Sequence, residues 1–170
     1  MTCLFLPYRE IRRKSPITDF EYQQHRIRQW IMRQGEQIYY PTQAERKIIR
    51  KLLKDMPVLF PELLYRYGLR LLYLYNQQKG NPNDAICWKD VTNYAGTLYA
   101  IGIARWAIAY PTYFQLLFLH ELAHVAVGGE HDKTFCDCLD RMIEKFNAAT
   151  GASLVNDYGL GEKKRKQENR

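Results

Sequence analysis

The sequence predicts a mainly helical α+β domain with a small β-sheet beside its most apolar helix. Three observations carry that expectation. Two capping boxes, Thr18 with Glu21 and Thr42 with Glu45, each open a stretch of helical periodicity. A 14-residue apolar run, residues 106–119, leads into His120-Glu121-Leu122-Ala123-His124 and stops at Gly128-Gly129. Two short stretches, 88–92 and 103–109, read as strands.

In chain order, the first capping box opens a helix over 18–33. The second opens a helix over 42–55, with Ile48, Ile49, Leu52, Leu53 and Met56 on one face and the basic residues opposite. Pro57 is expected to end it, and Pro61 suits the first turn of a third helix over 61–78. Gly68 interrupts that pattern, so 69–75 could equally form a strand. Residues 80–84, Gly-Asn-Pro-Asn-Asp, are turn-rich. In the strand expected at 103–109, Ile103, Arg105, Ala107 and Ala109 share one face and Ala104, Trp106 and Ile108 the other. The apolar helix, the glycine turn and an amphipathic helix over 131–147 complete the domain.

A chain of 170 residues that is 46% hydrophobic can bury a core, which excludes a disordered protein. One domain over residues 1–160 is expected, with a basic helical half at 1–90 and the half with the histidine motif at 91–160. The charged tail, 161–170, is expected to be disordered. Residues 3–8 are apolar but too short for a signal peptide. The longest apolar run falls short of the roughly 20 residues that cross a bilayer, so no membrane contact is expected and the cytoplasm is the expected compartment. Cys3, Cys87, Cys136 and Cys138 lack zinc-ribbon spacing and are expected as free thiols. Cys136 and Cys138 point to different faces of a helix, one towards the core and one towards the surface.

The net charge of +7 lies entirely in residues 1–85, because residues 86–170 carry as many acids as bases. Arg9, Arg12, Arg13 and Lys14 form one cluster; Lys47, Arg50, Lys51 and Lys54 form another. Such clusters are suited to phosphates, which makes nucleic acid a candidate partner, although solvated helices carry similar faces.

The chemistry is concentrated at 120–131. Residues i and i+4 share a helix face, so His120 and His124 can reach one metal ion, and Glu121 beside them can act as general base towards a water that the ion activates. His131 follows the glycine turn and can return to the same ion as third ligand. Its carboxylate neighbours Glu130 and Asp132 compete for that role. Three imidazoles packed in a core without metal would need other polar partners, which argues against a purely structural reading. Zinc is the default ion for such a ligand set.

His120 to His124, Gly128-Gly129, His131-Asp132 and Phe135 resemble the SprT-like and WLM-type zinc metallopeptidases and related short metallohydrolases. The resemblance spans about residues 95–160 and does not extend to residues 1–90. Residues 102–111 resemble the strand that precedes the metal helix in such folds. His131 lies eleven residues after His120, against ten in the metzincin pattern, and the metzincin glycine position is not glycine here.

The resemblance implies a zincin-like fold, zinc as Zn2+, hydrolysis of a peptide or protein substrate, and proteins bound to DNA as a substrate class. An edge strand at 103–109 would align the peptide backbone. Tyr110, Tyr113 and Tyr158 are the candidate oxyanion donors. The alternative is a binding module in which zinc is structural and a carboxylate closes the fourth position; the basic half would then serve nucleic acid.

Overall fold

The computed structural model describes residues 41–63, 84–90, 98–128 and 130–156, together with Gln29. The helix expected at 18–33, most of that at 61–78, the tail at 161–170 and Tyr158 lie outside the described residues. Within them the fold is mostly helical, with a two-stranded antiparallel sheet.

Helix α1, Gln43–Leu52, begins with the expected capping box. The Thr42 N–H donates to Glu45 Oε2 at 2.7 Å, and the Glu45 N–H donates to Thr42 Oγ1 at 3.3 Å. Arg105 also donates to Glu45 Oε1 at 2.7 Å and ties the cap to a segment 60 residues away. The helix ends at Leu52, before the expected 55, and Leu53 is its C-cap. Ile49, Leu53 and Met56 are buried as expected, but Ile48 is 44% exposed, because the buried stripe is centred one residue further on. Lys47, Arg50, Lys51 and Lys54 are exposed, as the amphipathic pattern requires. Pro57 does not terminate this helix. It stands in the first turn of a separate short helix α2, Met56–Leu59, where its missing N–H costs nothing.

Strand β1, Ala85–Asp90, pairs with β2, Leu98–Ile103, in a register that sets Cys87 opposite Ile101. The strand expected at 88–92 overlaps β1 at 88–90. The strand expected at 103–109 is corrected: only Ile103 belongs to the ladder, and Arg105–Ala109 is a 3₁₀ helix. The Ala104 N–H donates to the Asp84 carbonyl at 2.7 Å and closes the ladder. Ala104 and Ala107 are both fully buried, and their spacing of three matches the 3₁₀ period. Small apolar residues satisfied both periodicities in the sequence, and the packing selects the helical one.

Helix α3, Pro111–Val127, runs through the centre with Pro111 in its first turn. It packs on both strands, on α1 and on the final helix α4, Lys133–Thr150. Phe114, Phe118, Leu119, Leu122, Ala123 and Val125 are buried, and because their sides differ the helix is apolar nearly all round. Helix α4 contributes Phe135, Cys138, Leu139, Met142, Ile143 and Phe146 to the core, while Cys136 is half-buried. It runs two residues later at its start and three later at its end than the expected 131–147. Two long-range bonds fix the ends of the small helices: Gln115 donates to the Leu52 carbonyl at 2.9 Å, and Lys145 donates to the Leu59 carbonyl at 2.7 Å. Among the described residues the three cysteines are free thiols, and no helix is long and apolar enough to cross a membrane.

Candidate metal centre

His120 and His124 project from the same face of α3, one turn apart. Their Nε2 atoms are 3.2 Å from one another. The chain leaves α3 through Gly128, whose φ of +107° is a region that L side chains rarely adopt. That turn brings His131 back, with its Nε2 3.0 Å from His120 Nε2. The three imidazoles present ligand atoms within 4.8 Å of one another, close enough to bind one metal ion.

The hydrogen bonding fits that use. His124 Nδ1 lies 2.9 Å from the Gly128 carbonyl, which can only accept, so Nδ1 carries the proton. A neutral imidazole protonated there turns a bare Nε2 lone pair towards the other two rings. Phe135 forms the floor, its ring centroid 4.9 Å from His120, 4.4 Å from His124 and 4.8 Å from His131. Phe135 is itself fixed by the start of α4, where its N–H donates to Asp132 Oδ1 at 2.8 Å. Asp132 is thus the N-cap of α4. Among the described residues the metal-competent cluster consists of His120, His124 and His131; Asp132 and the exposed Glu130 fall outside it.

Burial governs the titration of His120, His124 and Glu121. It pushes His120 down to about 3, helped by the neighbouring His124 and His131. Burial likewise lowers His124, against the opposing hydrogen bond to Gly128. Glu121 is 4% exposed, and its burial pushes the carboxyl up to about 8, partly offset by the backbone N–H of Cys87. The Cys87 thiol is pushed up to about 12, first by burial and then by Glu121.

Glu121 and the three histidines open onto a cavity of about 570 Å³ between α3 and β1. Ala85, Ile86 and Cys87 all line it. Consecutive strand side chains point to opposite faces, so three in a row around one space means that the edge of β1 faces the cavity. The edge near the site is therefore β1, not the stretch 103–109 expected from sequence.

Of the candidate oxyanion donors, Tyr113 lines the cavity, but its hydroxyl donates to Asp84 Oδ2 at 2.7 Å. Tyr110 is 55% exposed, packs edge-on against Trp106 and does not line the cavity. Sequence reasoning missed Asp84, Cys87, Tyr99 and Asn156 as cavity residues. No local pattern marks them, because they meet the histidines only through the packing of β1 and the C-terminal segment on α3. Comparison with protein-family models, curated proteins and solved structures finds no match to this chain.

Proposed function

We propose that the chain is a zinc-dependent metallopeptidase of the SprT/WLM-like kind, with a zincin-like arrangement of helix and strand around its site. The observation that carries the reading is the convergence of three imidazole Nε2 atoms beside a buried carboxylate, in a cavity bordered by a strand edge. His120, His124 and His131 would hold the ion, which when bound supplies Lewis acidity towards a carbonyl and lowers the pKa of a water towards neutrality. Three protein ligands leave one position open, as a catalytic site requires; a structural site would need a fourth.

The chain's own residues do the rest. Glu121, adjacent to His120, accepts the proton of the attacking water and returns it to the leaving amine nitrogen. The positive charge of a bound ion beside it would favour the ionised carboxylate that this role needs. The edge of β1 offers main-chain groups along which an extended peptide can lie. The exposed bases of α1 are suited to a phosphate backbone, so nucleic acid is proposed as an accessory partner.

The test is Glu121→Gln in zinc-loaded protein. It should keep the metal and lower peptide hydrolysis by at least about 100-fold. Unchanged hydrolysis in that variant would overturn the mechanism.

A further inference from the structure

The cavity is lined by a carboxylate, Asp84, as well as by Glu121 and the three histidines. Tyr113 precedes His120 by seven residues on α3, which is about 10 Å along the helix axis. Asp84, the residue just before β1, lies about 10 Å along the chain from Cys87, the residue whose N–H faces Glu121. The strand and the helix therefore run in the same sense. The Asp84–Tyr113 pair is thus about 10 Å from the level of Cys87 and Glu121, and all of these residues line the cavity. Ile86, Leu116 and Leu117 form apolar walls between Asp84 and the histidines.

Asp84 is held, not merely present. Its backbone carbonyl accepts the Ala104 N–H at 2.7 Å, and its carboxylate accepts the Tyr113 hydroxyl at 2.7 Å. The Tyr113 ring is itself stacked on Trp106, with centroids 5.6 Å apart and planes at 21°. The ion pairs formed by the described residues are Arg105 with Glu45 and Lys133 with Asp137; neither uses Asp84.

We propose that Asp84, positioned by Tyr113, is a specificity-determining residue that receives a lysine or arginine side chain of an extended peptide, two or three residues from the bond that is cut. An anionic acceptor at the end of an apolar trough fits such a side chain: the methylene stem packs on Ile86, Leu116 and Leu117 while the cationic head reaches the carboxylate. The inference rests on the hydrolase reading for the position of the cut bond, but the subsite itself does not need the metal.

Two measurements on the 170-residue chain separate the two ideas. The first is an NMR-monitored titration of metal-free protein with Nα-acetyl-lysine methylamide and with its norleucine counterpart. Wild type should bind the lysine compound about tenfold more tightly. Asp84→Asn, which keeps shape and the anchored backbone, should erase the difference. The second is cleavage, by zinc-loaded protein, of a peptide set varied between lysine, norleucine and glutamate. Wild type should prefer lysine about tenfold, and Asp84→Lys should shift the preference to glutamate.

Lysine preference in binding without any cleavage would retain the subsite and reject the hydrolase reading. Cleavage with equal use of lysine and norleucine, unchanged in Asp84→Asn, would retain the hydrolase and overturn the subsite. Equal binding of both amides by folded wild-type protein would also overturn it.

Discussion

The Nε2 of His131 lies 3.0 Å from that of His120, although eleven residues separate them in sequence. The turn at Gly128 and the N-cap at Asp132 create that contact: one reverses the chain and the other starts α4 at the distance that returns His131 to α3. Replacing His131 with alanine should therefore remove a ligand at little cost to the core, since His131 is exposed and meets it only through the Phe135 ring. Zinc affinity should fall on the order of 100-fold, with the thermal midpoint of the metal-free protein little changed. Competition with a chromophoric chelator measures the first, and calorimetry the second. Unaltered affinity would place the third ligand elsewhere.

Phe135 is fully buried and touches all three imidazole rings. Phe135→Ala should cost about 3–5 kcal/mol of stability, because it empties a ring-sized space under the site. Phe135→Leu should recover most of that stability yet leave the rings less fixed, lowering zinc affinity about tenfold. Urea titration and chelator competition separate the two effects. A leucine variant with wild-type affinity would show that the ring only fills space.

The Thr42–Glu45 capping box should matter beyond its own helix, because Glu45 also holds Arg105 at the end of the sheet. Thr42→Ala should cost about 1 kcal/mol. Burial works against ionisation of Glu45, but the hydrogen bonds from Thr42 and the Arg105 guanidinium win and hold its carboxyl below the usual range. A lowered folded-state pKa means that this stabilisation is present above about pH 4.5 and is lost as pH falls through the folded value. The stability gap between wild type and Glu45→Gln should therefore narrow on acidification, as measured by urea denaturation at neutral and acid pH. A constant gap would contradict the assignment.

Without metal, Glu121 keeps its proton up to about pH 8 in the folded chain, against about 4.5 when unfolded. The folded state thus binds the extra proton between those values, and stability falls as pH rises through that window. His120 has the opposite sign: its pKa drops from 6.5 to about 3, so its contribution rises with pH and is complete by about 6.5. From about pH 6.5 to 8 the decline belongs to Glu121. Metal-free wild type should lose stability across that interval, and Glu121→Gln should be flat. Parallel curves for the two proteins would refute the burial argument.

The parts of this molecule that were legible in its sequence are those fixed by short-range geometry. His120 and His124 needed only the helical repeat. Thr42 and Glu45 needed only the capping pattern, and His131 needed a glycine turn of the right length. What escaped depended on distant packing. Residues 103–109 alternate like a strand, but Ala104 and Ala107 are small enough to tuck a 3₁₀ turn into the core. Asp132 next to a histidine suggested a ligand, whereas the start of α4 uses its carboxylate as a cap. Asp84 read as a turn residue, and only the approach of β1 to α3 gives it Tyr113 as a partner.

The most direct test of the central claim is the metal content of purified protein supplied with zinc, compared with His124→Ala and Glu121→Gln. The account predicts about one zinc ion per chain in wild type and in Glu121→Gln, and loss of zinc in His124→Ala. Wild-type protein that is folded yet retains no zinc would contradict it.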